Sequence, residues 1–292
     1  MQRNKYYDHE NDRPLNWELD GCALSEWKQL HGKARFAVHP KGFGIFIPPE
    51  KICTSDQYID SDPYGVERNI DNEFHKRRIA LTIELVQRAV PLMNDGKPQI
   101  LDLGCGQGHI TDRMRQTLDY AEFTGLDYSL SAIEYAKEHF PKVDFAVGDV
   151  DNIPYAKDFF DVVVCNNLWE HVPDPLTLLS KIKDIIKPGG YLVISTPSRY
   201  RTRNLVRILL GRPVVFMSDQ HVTEYSVGQV VEQLKYGGFR LQTILSRPLA
   251  GNGLKFRAAR WLLSMSISLV GSHHQLEETV FYLARRPTNT AD

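Results

Sequence analysis

Two patterns of apolar residues alternate along the middle of the chain. Short apolar runs, such as 143–147 and 160–165, are separated by stretches in which apolar residues recur every third or fourth position. The short runs predict buried strands, and the wider spacing predicts amphipathic helices. Strands that alternate with helices usually form a parallel sheet covered on both faces, so the pattern predicts an α/β fold.

The same pattern gives approximate bounds for each element. The predicted strands lie at 99–103, 123–126, 143–147, 160–165, 191–196, 239–245 and 279–284. A capping box formed by Ser226 and Gln229 predicts the start of one helix. Lys-Pro-Gly-Gly at 187–190 is expected to end another. The other predicted helices lie at 71–91, 109–118, 131–140, 175–186 and 254–270.

The ends and insertions of the chain do not follow this alternation. Residues 1–70 predict an N-terminal arm that either packs on the domain or closes over a substrate as a lid carrying Tyr58 and Tyr64. Residues 71–292 form the main domain, with cap insertions expected at about 198–223 and 250–275. A short strand is predicted inside the arm, where apolar residues alternate at Phe43, Ile45 and Ile47.

Composition narrows the classes of function. The chain has 292 residues, a net charge of -1 and four cysteines without a Cys-x-x-Cys pair. A chain without a basic excess is not expected to coat nucleic acid. The scattered cysteines indicate neither a zinc site nor a disulfide framework, so we expect no metal and a reducing compartment. The polar N-terminus and the lack of a long apolar run predict a cytoplasmic protein.

A glycine-rich loop follows the first predicted strand. Gly104, Gly106 and Gly108 occupy alternate positions, and a helical pattern follows them. Glycines allow a sharp turn and let a ligand lie against the backbone, while the next helix directs its first N–H groups to the same place. The dinucleotide fingerprint needs a further Gly where this chain has His109. The stretch instead resembles motif I of the class I S-adenosylmethionine-dependent methyltransferases, with Asp102 supporting the loop.

The resemblance implies S-adenosyl-L-methionine as cofactor and suggests further residues that bind it. Asp127 ends the second strand, where an acid accepts hydrogen bonds from both ribose hydroxyls. Gly-Asp-Val at 148–150 resembles a family element in which the acid, here Asp149, takes the adenine amino group and the N–H of Val150 meets a ring nitrogen. Asn166 follows the fourth strand, where a doubly wound sheet directs its ligands. Arg77 or Arg78 either reaches the methionine carboxylate or belongs to a solvated basic face of the helix, which is the favoured interpretation.

Three later segments strengthen the resemblance. Glu-His-Val-Pro-Asp-Pro at 170–175, Lys-Pro-Gly-Gly at 187–190 and His-Val-Thr-Glu-Tyr-Ser at 221–226 are similar to small-molecule methyltransferases of types 11 and 12, including the ubiquinone-biosynthesis O-methyltransferases. The likeness covers roughly residues 75–245. It implies a Rossmann-like, doubly wound and mostly parallel seven-stranded sheet with its last strand antiparallel, plus a helical cap.

The resemblance also implies the reaction. We expect methyl transfer to a small-molecule acceptor, through an oxygen nucleophile of an anionic metabolite, sugar, lipid or quinone precursor. A hydroxyl nucleophile gains from a general base, for which His171 is the first candidate and His221 the second; alternatively, alignment alone suffices and His171 only packs. The other open functions are methylation of RNA or protein, and a non-catalytic S-adenosylmethionine-binding partner subunit. Nothing in the sequence indicates an oligomeric state.

Two segments outside the cofactor motifs allow two interpretations each. The arginines of 199–212 predict either contacts to an anionic acceptor or the solvated side of a helix whose inward face is Leu205, Ile208 and Leu209. The helix at 254–270 predicts either a lid over the acceptor pocket or a peripheral membrane contact, because its apolar stripe includes Trp261 beside Arg257 and Arg260.

Overall fold

The computed structural model describes residues 5–52, 56, 71–90, 96–246, 253–269 and 274–288. The predicted lid residues Tyr58 and Tyr64 lie outside these ranges. Among the described helices, none is both long and apolar enough to cross a membrane.

The strands form one large sheet and one small hairpin. The hairpin consists of β1 (Tyr7–Asp8) and β2 (Arg13–Pro14). The large sheet contains, in chain order, β3 (Gly21–Ala23), β4 (Phe36–Val38), β5 (Gly44–Ile45), β6 (Gln99–Leu103), β7 (Glu122–Asp127), β8 (Asp144–Val147), β9 (Phe160–Asn166), β10 (Ile186–Pro197), β11 (Arg240–Leu245) and β12 (Thr279–Arg285).

The helices alternate with the strands from β6 onward, as predicted. Two short helices lie in the arm, and seven longer ones belong to the rest of the described chain. They are α1 (Trp17–Asp20), α2 (Trp27–Leu30), α3 (Glu73–Ala89), α4 (His109–Thr117), α5 (Leu130–His139), α6 (Pro175–Ile185), α7 (Thr202–Leu209), α8 (Val227–Tyr236) and α9 (Leu254–Leu269).

The strand order confirms the predicted doubly wound fold. It runs β11-β12-β10-β9-β6-β7-β8-β5-β4-β3. The strands from β6 to β10 pair in parallel, and the last strand, β12, is antiparallel to both of its neighbours. These are the expected seven strands.

The N-terminal arm adds three strands that extend the predicted sheet. The short strand expected near Ile45 is β5, which pairs in parallel with β8 through Ile45 and Val147. It is followed in the sheet by β4 and β3. An uncovered β8 would leave unpaired backbone groups at the sheet edge, and the arm removes that edge. The strands β3 and β4 were not predicted, because three residues each are too few to reveal a period in the sequence.

Each face of the sheet carries its own apolar core. Successive residues of β9 point to opposite faces, so Val163 packs with α6 and α8 while Val162 packs with α3, α4 and α5. This two-sided burial explains why the middle strands are apolar throughout rather than alternating. The cores position the loops at the carboxyl ends of β6 to β9.

Two local predictions meet different outcomes. The capping box at the start of α8 is confirmed: the Ser226 hydroxyl accepts from Gln229 N, and the Gln229 side chain accepts from Ser226 N. The Lys-Pro-Gly-Gly segment does not end α6 as a separate loop. It lies within β10, where the pairing with β9 shifts register between Ile186 and Tyr191.

Candidate active site

A cavity of about 760 Å³ opens at the carboxyl ends of β6, β7, β8 and β9. In a doubly wound sheet this edge is where ligands bind. The residues lining it include Asp102, Gly104, Gly106, Asp127, Asp149, Val150, Asn166, His171 and His221. The fold therefore places around one cavity all of the cofactor-binding and catalytic residues proposed from the sequence except Gly108.

The glycine loop forms the floor of the cavity. Gly104 has φ +77°, and a Cβ added there would lie 3.3 Å from the Leu168 side chain. Gly108 is the exception among the candidates, because it is not among the residues lining the cavity. Its added Cβ would lie 2.7 Å from the Phe145 ring. Gly108 thus lets α4 pack closely on the sheet rather than admitting a ligand.

Asp102 lies directly beneath this loop. Its carboxylate is almost fully buried and accepts a hydrogen bond of 2.5 Å from the Thr111 hydroxyl of α4. Burial raises the pKa of Asp102 to about 6, although the bond from Thr111 opposes the shift. The residue ties the end of β6 to the first turns of α4, which matches its expected supporting role.

The raised pKa of Asp102 predicts how the stability of the fold depends on pH. The folded protein binds this proton more tightly than the unfolded chain, so stability is greatest below the unfolded pKa of 3.8 and falls as the pH rises towards about 6. A shift of this size corresponds to about 3 kcal/mol. We expect Asp102→Asn to lose less stability than the parent over this pH range. Urea unfolding of both proteins without cofactor, at several pH values, measures the free energy of unfolding. If that free energy changes with pH in the same way in both proteins, the raised pKa does not belong to Asp102.

Asp127 is tied to the same loop. One carboxylate oxygen accepts from Gly106 N at 2.7 Å, and the other accepts from Ser129 N at 2.9 Å. Burial raises the pKa of Asp127, and these two backbone N–H groups oppose the rise. The acid therefore positions the glycine loop and the start of α5, in addition to lining the cavity.

Asp149 and Val150 line the cavity just after β8. One oxygen of Asp149 accepts from Asp151 N at 2.9 Å. The other lies 3.1 Å from the Lys51 ammonium group, which belongs to the N-terminal arm. The arm thus reaches the rim of the cavity, a contact that the sequence did not predict.

Two buried polar atoms at the cavity wall indicate that it can hold a polar ligand. Asn166 accepts bonds from the Ser195 and Thr82 hydroxyls at 2.9 and 3.3 Å, but its Nδ2 has no partner among the described residues. The buried Oε1 of Gln107 is likewise unpartnered there. Buried polar groups are normally hydrogen-bonded. With the open floor at Gly104, these atoms fit a ligand bearing amino and carboxylate groups, as S-adenosylmethionine does.

Both candidate bases line the cavity side by side. Their rings are edge to face with centroids 5.0 Å apart. Nδ1 of His171 lies 3.2 Å from the carbonyl oxygen of Gln220. Burial lowers the pKa of His171, and the neighbouring His221 lowers it further, so His171 is neutral at neutral pH and able to accept a proton.

His221 is held by a buried carboxylate. Its Nδ1 lies 3.0 Å from Glu224, which is fully buried and paired at 2.5 Å with the Arg201 guanidinium. Burial pushes the pKa of Glu224 upward, but hydrogen bonds from His221, Met217 N and Arg201 outweigh it and hold that pKa below its ordinary value. An ionised Glu224 accepts Nδ1–H, which leaves Nε2 of His221 as the proton acceptor.

Glu170 completes this end of the cavity and was not proposed as a site residue. Its buried carboxylate accepts from Asn167 Nδ2 at 3.1 Å and from the Thr196 hydroxyl at 3.0 Å. Ligand-type atoms of Glu170, His171 and His221 all lie within 4.8 Å of one another. Glu170 belongs to the Glu-His-Val-Pro-Asp-Pro segment noted in the sequence, so it could have been proposed as a site residue. Its proximity to His221, 51 positions later, is visible only in the structure.

The arginines of 199–212 and the last helix, α9, were expected at the cavity, but the described residues do not place them there. The described residues lining it include none of the arginines of 199–212 and no residue of α9. The predicted lid role of α9 thus has no support among the described residues and stays a prediction. The predicted inward face of α7 is wrong, since Ile208 and Leu209 are exposed, whereas Arg201 is buried. Arg78 of α3 does line the cavity, and Arg77 is not among the lining residues.

Comparison with known proteins defines the class. Residues 94–244 match the family model of a methyltransferase domain. The sheet order and the glycine-floored cavity agree with the fold expected of class I methyltransferases. Because the match covers just over half of the chain, the chain belongs to this methyltransferase-domain family.

Individual relatives are similar over part of their length. The malonyl-[acyl-carrier protein] O-methyltransferase of Hahella chejuensis is 34% identical over 116 residues, 39% of this chain and 42% of that protein. The ubiquinone biosynthesis O-methyltransferase of Coxiella burnetii is 29% identical over 153 residues, 50% of this chain and 64% of that protein. This chain thus spans less than two thirds of either relative.

The solved structures support the fold alone. A chain in the complex between the Trm112 methyltransferase activator of Haloferax volcanii and a candidate methyltransferase superposes with a TM-score of 0.56 at 18% identity, covering 78% of this chain and 98% of that chain. A structure from Bacillus halodurans, also described as a candidate methyltransferase, gives a TM-score of 0.51 over 72% of this chain and 99% of that chain at 18% identity.

Proposed function

We propose that this enzyme methylates an oxygen atom of a small-molecule acceptor. The observation that carries the proposal is the His221–Glu224 pair at the wall of the cavity, because a carboxylate-oriented histidine suits a hydroxyl that must lose its proton. The cavity volume of about 760 Å³ is in the range of ligand pockets. Both relatives described above are named O-methyltransferases, which supports the same choice.

The cavity residues suggest how the cofactor is held. S-adenosylmethionine supplies an activated methyl group when bound. The backbone of Gly104 and Gly106 would lie against the cofactor. Asp127 would accept hydrogen bonds from the ribose hydroxyls, and Asp149 with Val150 would hold adenine. Asn166 would use its unpartnered Nδ2 on the polar methionine end. Lys51 would then share Asp149 with the adenine amino group.

The catalytic end of the cavity would align the acceptor and take its proton. His221 accepts the proton at Nε2, and Glu224 stabilises the resulting imidazolium through Nδ1–H. His171, held neutral by burial, offers a second acceptor beside it. The remaining requirement is to hold the acceptor oxygen in line with the methyl group and to exclude water.

The grouping of Glu170, His171 and His221 favours a second way to activate the acceptor. Two histidines and a carboxylate are ligands that divalent cations accept, and a bound cation lowers the pKa of a coordinated hydroxyl. Full activity after EDTA treatment and gel filtration supports the general base; activity that returns only with added magnesium, manganese or zinc supports the cation.

Transfer of a labelled methyl group tests the proposal. The purified chain is incubated with methyl-labelled S-adenosylmethionine and a cell extract, which is then separated into small molecules, lipids, RNA and protein. We expect label in the small-molecule or lipid fraction, in a bond that is chemically an ether or ester. Label confined to RNA or protein would contradict the acceptor class, and cofactor binding without any transfer would indicate a non-catalytic subunit.

A further inference from the structure

Helix α7 has the reverse polarity of an ordinary surface helix. Its buried residues are polar: Thr202 donates its hydroxyl to the Leu276 carbonyl, and Asn204 bonds the backbone of Val215. Its C-terminal end turns apolar side chains outward, and Leu209 is 76% exposed. A helix that faces water on one side normally exposes its polar residues. The exposed end of α7 therefore needs an apolar environment.

Helix α9 also turns an apolar face outward. At about 100° per residue, its exposed apolar side chains fall within an arc of roughly 100°, and they are Leu254, Trp261, Leu262, Met265 and Leu269. Among the side chains of α9 that the structure describes, Leu263 and Ile267 are the half-buried apolar ones, and they lie on the other side. Trp261 is 60% exposed, which is unusual for the largest apolar side chain.

The two helices touch and form one surface. We call residues 202–217 and 254–269 the α7–α9 surface. Among the described residues, sixteen large apolar side chains are exposed, and ten of them lie on this surface. An apolar patch of this extent marks an interaction site rather than a solvated face.

The charge of the same surface selects the kind of partner. The α7–α9 surface, residues 202–217 and 254–269, contains six Lys or Arg and no Asp or Glu, whereas the whole chain has 35 basic and 36 acidic residues. Arg260 is paired with Glu277. Arg203, Arg212 and Arg257 are exposed around the apolar residues. Apolar side chains ringed by arginine, with a tryptophan at the face, are typical of helices that lie in an anionic lipid interface.

We propose that the α7–α9 surface docks the enzyme on a bilayer containing anionic phospholipids. A second copy of the chain fits less well, because a symmetric contact through this surface would place arginines against arginines without an acid to pair them. Met217 belongs to this surface and also lines the active-site cavity. Docking would therefore bring the rim of the cavity to the lipid headgroups.

Vesicle co-sedimentation of the full chain tests the proposal. The probes are sucrose-loaded vesicles of phosphatidylcholine alone and of an equal mixture with phosphatidylglycerol. We expect binding to the mixed vesicles, weakened about tenfold or more by Leu209→Glu or Trp261→Glu, and weakened by salt and by the pair Arg203→Glu with Arg257→Glu. Leu19→Glu is the matched control, because Leu19 is 82% exposed but lies in the arm; it should bind like the parent.

Tryptophan fluorescence gives a second readout. Trp27 and Trp169 are buried, and Trp17, which is 37% exposed, lies in the arm outside the α7–α9 surface. A blue shift on adding mixed vesicles should therefore come from Trp261 and disappear in Trp261→Phe while sedimentation persists. Unchanged thermal unfolding of each variant excludes misfolding. Equal binding to both vesicle types, or no binding to either, would overturn the proposal. Undiminished binding of Leu209→Glu and Trp261→Glu to the mixed vesicles would also overturn it. A dimer detected by sedimentation velocity would also overturn it, if Leu209→Glu dissociates that dimer and the dimer does not bind vesicles.

Discussion

A His221→Ala variant is expected to lose about 10²- to 10⁴-fold in kcat, the usual contribution of a positioned general base. Nε2 of His221 is the proposed proton acceptor, and the buried Glu224 lies 3.0 Å from Nδ1 of the same ring. Affinity for S-adenosylhomocysteine should stay within a few-fold of the parent's, because the imidazole is proposed to act on the acceptor. Steady-state kinetics with an acceptor from the labelling experiment, together with calorimetry of S-adenosylhomocysteine, separate the two quantities.

His171→Ala provides the comparison, since sequence alone ranks His171 ahead of His221. We expect a smaller loss from His171→Ala, because His171 faces a backbone carbonyl rather than an ionised acid. The pH profile adds a check. Burial lowers the pKa of His171 from 6.5, so an enzyme using it as base would keep kcat constant to below pH 6.5. A larger loss in His171→Ala than in His221→Ala would reverse the assignment.

An Asp127→Ala variant is expected to weaken cofactor binding by about 1–3 kcal/mol, the cost of removing a hydrogen-bonded partner from a partly buried site. The reason is twofold. The carboxylate is proposed to accept from the ribose hydroxyls, and it also fixes the glycine loop through Gly106 N. Calorimetric titration with S-adenosylmethionine and S-adenosylhomocysteine measures the loss, and thermal unfolding checks that the variant folds.

Asp151→Ala is the control for this measurement. Asp151 is an acid at the same cavity, but its side chain is 80% exposed and its ion pair with Lys181 lies at the surface. Exposed ion pairs contribute little, so this variant should bind cofactor as the parent does. Equal affinities of Asp127→Ala and the parent would mean that the ribose lies elsewhere. Tight binding of NAD instead would reject the cofactor assignment itself.

The cofactor end of the site was predictable because its residues follow strands. Asp127, Asp149 and Asn166 each stand at or just after the carboxyl end of a strand, and parallel strands bring those ends to one edge. Gly108 was assigned to the ligand on the same grounds. Only the packing of Phe145 against it reveals a different use, because the local sequence does not say which side chain lies across the sheet.

The acceptor end depends on contacts between distant segments. His221 and Glu224 come from the long connection after β10, and they meet Arg201 and Glu170 through turns whose path no local period encodes. The same holds for the arm. Lys51 reaches Asp149 from 98 residues away, and β3 and β4 extend the sheet although each is too short to show alternation.

The sequence by itself determined the class of the protein: the period of its apolar residues specifies the strands and helices, and the spacing of glycines and acids specifies a cofactor loop. Only the tertiary structure decided which histidine has a buried carboxylate behind it and which face of α7 and α9 meets solvent. An amphipathic period says that a helix has an apolar side, but the direction of that side depends on the neighbours it packs against. Here the buried bonds of Thr202 and Asn204 turn Leu209 outward.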